Sequence, residues 1–129
     1  MDAKLVLAVA VGSALGGVCR FAVGQAFVAR FGPGFPYGTL FINVAGSFLI
    51  GIVAELALTR AFGMSQTARV FLATGFLGGF TTFSAFSLDM VTLASDGAAL
   101  LSLLYGFGSV VLGFALAYGG QVLARLALR

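Results

Sequence analysis

The sequence contains no histidine, no tryptophan and a single cysteine, Cys19, among its 129 residues. Without histidine there is no imidazole for general-base catalysis, and one thiol cannot form a disulfide or a Cys/His metal site within one chain. The Gly-x-x-x-x-Gly-Lys-[Ser/Thr] phosphate-binding loop is also missing. These absences argue against an enzyme, and we expect no catalytic residue.

Charge is equally scarce, since Lys, Arg, Asp and Glu make up 9% of the residues against 60% hydrophobic residues. Soluble domains carry roughly 25% charged residues, so this composition is that of a membrane protein. Seven basic and four acidic side chains give a formal net charge of +3, which is too little for a nucleic-acid-binding surface. We therefore expect a multi-pass protein in a lipid bilayer, with its function inside the membrane.

Four long apolar segments follow one another with short connectors. A spanning helix takes about 20 apolar residues. The segments at about 4–29, 38–58, 68–95 and 98–126 each satisfy that length. No connector is long enough to separate domains, so residues 1–129 are predicted to form a single all-α domain with four spans. One such chain hardly supplies the walls of a pore, and an oligomer is the expected state.

The third segment contains Gly-Gly-Phe-Thr-Thr at positions 78–82, a combination that disfavours helix. Lipid offers no hydrogen bonds, so backbone groups freed by a break must be buried in protein, face water or coordinate an ion. The sequence therefore predicts that the third helix is broken in the middle of the membrane.

Basic residues are unevenly distributed between the two ends of the predicted spans. The end that contains the N-terminus carries Lys4, Arg60, Arg69, Arg125 and Arg129. The other end has Arg30 and, within the first span, Arg20. The positive-inside rule then favours a cytoplasmic N-terminus.

The polar side chains inside the spans are mostly uncharged, and each has a structural and a functional interpretation. Asn43 either makes an interhelical hydrogen bond or offers its amide donors to a ligand. Arg20 either extends to the membrane surface or lines an aqueous vestibule that attracts anions. Glu55 and Asp89 either reach the membrane surface or belong to a proton or cation pathway.

Phe83 and Phe86 are three residues apart and so share one helix face. They either pack against apolar neighbours or present positive ring edges to a desolvated anion, which a fixed positive charge would hold too tightly. As the anion loses its water, hydroxyl groups would replace it one hydrogen bond at a time. The candidates are the hydroxyls of Thr82, Ser84, Tyr105 and Ser109. This combination suits a small, strongly hydrated anion.

Three segments resemble the Fluc (CrcB) family of microbial fluoride channels: Gly16-Gly-Val-Cys-Arg20, Gly38-Thr-Leu-Phe-Ile-Asn-Val-Ala-Gly46 and Gly75-Phe-Leu-Gly-Gly-Phe-Thr-Thr-Phe-Ser-Ala-Phe86. The resemblance implies a dimer of four-span subunits inserted in opposite orientations in the cell membrane. Such a dimer would form two fluoride pores and carry a structural sodium ion on its two-fold axis. The implied function is passive export of cytoplasmic fluoride, which gives fluoride resistance.

The resemblance also implies roles for individual residues. Phe83 and Phe86 correspond to the ring pair that lines the pores, with Asn43 beside them. The backbone carbonyls of Gly78 and Thr81, two from each subunit, correspond to the sodium ligands. Arg20 corresponds to the vestibule arginine, and Thr39 to a polar residue near the entrance of the second span. Tyr105 and Ser109 correspond to the row of hydroxyl groups on the fourth span.

Two features depart from the family pattern. Ser84-Ala85 stands where the family often has Ser-Thr, which removes one hydroxyl group. Five basic residues at one end against one or two at the other are also unbalanced for a chain that inserts in both orientations. We expect a homodimer, and the alternative is a heterodimer with an oppositely oriented paralogue.

Two further classes of membrane protein are compatible with four short spans. A small proton-coupled multidrug antiporter needs a carboxylate deep in a span, and the first span has none. A non-transporting membrane subunit would explain the polar span residues by contacts with partner helices alone. Loss of assembly, without any flux to lose, after substitution of Phe83 and Phe86 would indicate that last class.

Overall fold

The computed structural model describes residues 2–59 and 63–129, and every regular element within these ranges is helical. Four segments of the described chain are long and apolar enough to cross a membrane. They are Ala3–Phe31, Tyr37–Leu58, Gln66–Ser95 and Ala99–Ala127. The all-helical fold with four membrane-spanning candidates is confirmed, whereas Arg60 lies outside the described residues.

Helix ends coincide with capping and turn residues. α1 (Ala3–Phe31) begins after Asp2, whose carboxylate accepts a hydrogen bond from the Lys4 amide at 2.9 Å. It ends at Gly32, whose φ of 76° would strain any residue with a side chain. α2 (Tyr37–Leu58) follows a connector that contains both prolines.

The third apolar segment is assembled from several short pieces. α3 (Gln66–Arg69) leads into a π-helical segment (Val70–Leu77), which continues as α4 (Gly78–Phe80). After two non-helical residues the chain resumes as α5 (Phe83–Ser95), and the last element is α6 (Ala99–Ala127). Short π-helical stretches are rare and often accompany functional sites.

The two non-helical residues, Thr81 and Thr82, have extended backbone. Their φ and ψ angles are −77° and 158° for Thr81, and −151° and 119° for Thr82. Amides and carbonyls at such a position lose their helical partners and must bond elsewhere. The partners that they find define the site described below.

Glycine allows the long helices to approach closely. α2 packs along α6, and α1 packs along the π-helical segment. A Cβ atom at Gly51 would collide with the Ala117 carbonyl oxygen, and one at Gly16 with the Phe76 carbonyl oxygen. Because lipid tails are as apolar as leucine, close backbone packing rather than hydrophobic burial stabilises such helix pairs.

An ion pair joins α2 to α6 near the end where α6 terminates. Arg125 donates from Nε and Nη2 to the two carboxylate oxygens of Glu55, at 3.1 and 2.9 Å. Glu55 is buried while Arg125 is exposed. The pairing gives Glu55 a structural partner, which the sequence analysis did not identify.

We predict that Gly51→Ala lowers the free energy of unfolding by about 1–3 kcal/mol, the usual cost of forcing an extra methyl group into a packed contact. Chemical unfolding of the purified protein in detergent measures the change. The matched control is Gly119→Ala on α6, where a Cβ atom meets no described atom within 4 Å. Alanine is the better helix former there, so stability should stay equal or rise slightly. Equal stability of the two variants would contradict the close α2–α6 contact.

Candidate functional site

An open groove of about 390 Å³ runs beside the extended residues of the third segment. Its wall is formed by α2, α6 and both halves of the third segment, and we call it the break groove. Seven of the residues predicted to form a site lie on this wall: Asn43, Gly78, Thr81, Thr82, Phe83, Phe86 and Ser109. Residues far apart in sequence are thus brought to one surface.

The other four predicted residues lie outside the wall of the break groove, namely Arg20, Thr39, Ser84 and Tyr105. Arg20 on α1 donates from Nη1 to the Thr81 carbonyl oxygen at 3.3 Å. Ser84 Oγ lies 3.4 Å from Thr82 Oγ1. Arg20 and Ser84 therefore contact groove residues, and so does Tyr105, whose ring centroid lies 5.2 Å from that of Phe86. Thr39 lies near the start of α2.

The Asn43 side chain binds both backbone groups of Thr82. Nδ2 of Asn43 donates to the Thr82 carbonyl oxygen at 2.9 Å, and Oδ1 accepts from the Thr82 amide at 2.8 Å. In a continuous helix that amide would bond to the Gly78 carbonyl, four residues earlier. Asn43 thus makes an interhelical contact, and an amide nitrogen with two hydrogens keeps one donor for a further partner.

The two threonines end one helix and start the next. Thr81 donates from Oγ1 to the Leu77 carbonyl oxygen at 2.9 Å. Thr82 is the N-cap of α5, where its Oγ1 accepts from the Ala85 amide at 3.2 Å. α2 approaches this point because residue 46 is glycine, and a Cβ atom there would collide with the Thr81 side chain.

The two phenylalanine rings of α5 lie together, but their surroundings differ. The ring centroids of Phe83 and Phe86 are 5.8 Å apart, with an angle of 43° between the ring planes. Phe86 is 8% exposed and packs with Tyr105 and Leu93, whereas Phe83 is 80% exposed in the single chain. Only one of the two rings therefore has its place fixed by this chain alone.

The hydroxyl of Ser109 is a buried polar atom without a hydrogen-bond partner among the described residues. Ser109 belongs to α6 and lies on the wall of the break groove. Buried polar atoms without a partner are rare, and each needs an explanation such as a bound ion or water. Ser109 therefore brings an unpartnered hydroxyl to the wall of the break groove.

Tyr105 has a partner that the sequence analysis left unassigned. Its OH donates to Oδ2 of Asp89 at 3.2 Å, and Tyr105 is only 3% exposed. Asp89 lies six residues before the end of α5 at Ser95, and Tyr105 lies six residues after the start of α6 at Ala99. When two helices are joined by a tight turn, residues at equal distances from the turn lie next to each other. The contact between Asp89 and Tyr105 could therefore have been predicted from the sequence.

The break also presents carbonyl oxygens, which are the ligands that hard cations prefer. The Gly78 carbonyl has lost its helical donor, because the Thr82 amide bonds to Asn43 instead. A Cβ atom at Gly78 would make an ordinary van der Waals contact with the Ala73 carbonyl oxygen at 3.9 Å, and Gly78 lies on the wall of the break groove. The Thr81 carbonyl accepts the long bond from Arg20 and keeps a second lone pair. One chain supplies two such oxygens, and a cation site here would need a second chain.

Comparison with known proteins gives a consistent result. The profile of the family described as "CrcB-like protein, Camphor Resistance (CrcB)" matches residues 7–121. A relative from Rhizobium etli, named "Fluoride-specific ion channel FluC", is 50% identical over 119 residues, which cover 92% of this chain and 94% of the relative. A relative of the same name from Nitrobacter winogradskyi is 49% identical over 126 residues, 98% of this chain and 99% of the relative. One from Thermus thermophilus, also of that name, is 47% identical over 120 residues and covers 93% of both chains.

We predict that Asn43→Leu destabilises the break, because the amide and carbonyl of Thr82 lose both bonds to the side chain. Each unpaired buried group costs about 1–3 kcal/mol, so the melting temperature should fall and the Thr82 amide should exchange faster with deuterium. Hydrogen–deuterium exchange with mass spectrometry measures this at the peptide that contains Thr82. Ser47→Ala is the control, since it removes one bond to the Asn43 carbonyl oxygen. Native exchange at Thr82 in Asn43→Leu would overturn the assignment.

Proposed function

The chain belongs to the CrcB family, and on that premise we propose that it is a fluoride-specific ion channel through which cytoplasmic fluoride leaves the cell passively. Curated relatives at about 50% identity carry this name, and channels of this kind are not enzymes. The observation that carries the proposal is the break groove, whose wall contains both the unpartnered Ser109 hydroxyl and the Phe83 and Phe86 rings. Donors and ring edges are thus combined without a fixed charge on the groove wall.

Fluoride leaves water reluctantly, so its pathway must offer replacements in series, each weak enough to release the ion to the next. The Ser109 hydroxyl and the second amide hydrogen of Asn43 are neutral donors of this kind. The edges of Phe83 and Phe86 carry partial positive charge, which stabilises an anion without binding it tightly. Hydrogen bonds of fixed length in a narrow bore would also disfavour the larger chloride ion. No nucleophile, base or energy source is needed.

The remaining polar residues extend the pathway beyond the groove in our proposal. Arg20 provides positive charge in the vestibule while its guanidinium donates to the Thr81 carbonyl. Thr82 and Ser84, whose hydroxyl oxygens lie 3.4 Å apart, form the hydroxyl pair next to the rings. Thr39 contributes a hydroxyl farther along the pathway, and Tyr105 would contribute its own on releasing the bond that it donates to Asp89. Ala85 offers no hydroxyl, so Thr82 and Ser84 are the hydroxyl donors to fluoride at this point of the pathway.

We propose that the pore is complete only in an antiparallel dimer, in which each subunit is one four-span domain. The support is that the break groove is open and the Phe83 ring is 80% exposed, so one chain leaves the wall unfinished. Two subunits in opposite orientations would form two equivalent pores, with the third helix of each broken in mid-membrane. A homodimer is our first expectation, and the uneven basic charge makes a heterodimer the second.

We also propose a structural sodium ion between the two breaks, held by the carbonyls of Gly78 and Thr81 from both subunits. The support is that the Gly78 carbonyl has lost its helical donor and that Gly78 and Thr81 both lie on the wall of the break groove. Four neutral oxygens suit a hard monovalent cation. When bound, the ion would supply a fixed positive charge that links the two subunits.

A proton-coupled multidrug antiporter is not supported. The relatives reported above are named as fluoride-specific channels. Glu55, the carboxylate considered for proton exchange, is engaged by both the Nε and Nη2 atoms of Arg125. Dependence of transport on protons, abolished by Glu55→Gln, would be needed to restore that interpretation.

We predict that liposomes containing the purified protein release fluoride but not chloride, as measured with ion-selective electrodes. Phe83→Ile and Phe86→Ile should each lower fluoride efflux by up to about tenfold, the equivalent of losing an aromatic interaction of 0.5–1.5 kcal/mol. The dimer should still form in both variants. The control is Phe114→Ile, which replaces an exposed ring outside the break groove.

Unchanged fluoride efflux in both ring variants would exclude ring edges from the pathway. No fluoride release from a well-folded native dimer would reject the homodimeric channel. Release restored by an oppositely oriented paralogue would then establish the heterodimer.

We predict that replacing sodium by N-methyl-D-glucamine lowers the thermal stability of the dimer and shifts it toward monomer. A ligand that binds only the folded state stabilises it by about 2.7 kcal/mol at a hundred times its Kd, and this contribution disappears when it is removed. Differential scanning fluorimetry and size-exclusion chromatography measure the two effects, and sodium should restore both. An identical melting temperature and dimer fraction in the two buffers would reject the sodium site.

A further inference from the structure

A second groove, of about 660 Å³, lies between the start of α1 and the start of the third segment. Lys4, Leu7 and Val11 line it from α1, and Ser65, Thr67 and Phe71 line it from the other side. We call it the terminal groove. It shares no lining residue with the break groove.

Polar and apolar groups are segregated along the terminal groove. Lys4, Ser65 and Thr67 lie where their helices begin, which is the end of the spans nearest the membrane surface. Val11 follows Lys4 by seven residues, which places it about 10 Å deeper at 1.5 Å per residue. Phe71 follows Thr67 by four residues and lies about 6 Å deeper. A cation and hydroxyls above apolar walls match the polarity of a phospholipid.

The charge at this end of the molecule favours an anionic headgroup. α3 begins here, and its Arg69 adds to the positive charge of Lys4. Two acidic side chains are described at this end, and with Glu55 in its ion pair only the Asp2 charge offsets those of Lys4 and Arg69. Asp2 accepts a bond from the Lys4 amide, and Glu55 is paired with Arg125. Lys4 is the basic residue that lines the groove itself.

The hydroxyls at the mouth of the groove can also donate to a phosphate. Ser65 Oγ accepts a bond from the Ala68 amide at 3.1 Å, which leaves the hydroxyl hydrogen of Ser65 for another acceptor. Thr67 is exposed beside it. Lys4, Ser65 and Thr67 therefore all line the groove at the end where a headgroup would lie.

We propose that the terminal groove binds one anionic phospholipid from the surrounding bilayer. Its phosphate contacts the Lys4 ammonium and the hydroxyls of Ser65 and Thr67, and one acyl chain lies between Leu7 and Phe71. The lipid fills the gap between α1 and the third segment at the membrane surface. The inference is independent of fluoride conduction, since it concerns a separate surface.

Native mass spectrometry of the detergent-purified protein tests the headgroup contact. Equal amounts of phosphatidylglycerol and phosphatidylcholine with identical acyl chains are added, and bound lipid per subunit is counted. We expect phosphatidylglycerol to be retained about fivefold over phosphatidylcholine, the factor that one lysine contributes near anionic lipid. Lys4→Gln should bring the ratio close to one. Arg129→Gln, with the same charge change outside the groove, should keep the native ratio.

A second variant tests the apolar part of the groove. Ala68 lines it, and Ala68→Phe should fill it and reduce the retention of both lipids while the oligomeric state stays native. A native ratio in Lys4→Gln, or equal binding of the two lipids by the native protein, would overturn the proposal. It would also be overturned if Ala68→Phe dissociated the oligomer with lipid binding unchanged, because a second copy of the chain would then occupy the groove. Lys4 is exposed, so Lys4→Gln decides the question even if Ala68→Phe fails to fold.

Discussion

Backbone polar groups in apolar surroundings must have partners, and the extended residues Thr81 and Thr82 place four such groups in the third apolar segment. The Thr81 amide bonds to the Leu77 carbonyl at 2.9 Å, and the Thr81 carbonyl accepts from Arg20. Both backbone groups of Thr82 bond to Asn43. Arg20 of α1 and Asn43 of α2 provide the side chains that make these bonds. The hydrogen bonds of Thr81 and Thr82 therefore fix the positions of α1, α2 and the third segment relative to one another. The break groove is the space that this arrangement leaves.

The close helix contacts follow from the same requirement, because a side chain reaches a backbone group at 2.8–2.9 Å only when the two helices nearly touch. Gly46 lets α2 approach Thr81, and a Cβ atom at Gly79 would collide with the Ser13 carbonyl oxygen on α1. Ser13 also donates to the Gly75 carbonyl across this contact, at 3.3 Å. Small residues and polar bonds therefore occur together around the break, each making the other possible.

The sequence predicts the elements of this protein better than their contacts. Apolar runs of about 20 residues identify four spanning helices because the bilayer sets their length. The contacts of Asn43, Arg20 and Glu55 join residues 39, 61 and 70 positions apart, and the register between distant helices leaves no periodic signal in one sequence. The different exposure of Phe83 and Phe86 is hidden for the same reason, since both positions carry the same residue type on one helix face. Asp89 and Tyr105 are the exception, because the short α5–α6 turn fixes their register.

The requirements that this chain leaves unmet converge on one surface. Ser109 has no partner among the described residues, the Gly78 carbonyl has lost its helical donor, and the Phe83 ring is largely exposed, all along the break groove. Lipid could cover the ring, but it offers nothing to the hydroxyl or the carbonyl, and a polar group left unpaired in hydrocarbon costs several kcal/mol. A second subunit, a cation and an anion that has lost its water would meet these needs together, as we propose. Assembly and conduction would then depend on the same physical constraint that shapes the break, and a change at this surface should affect both.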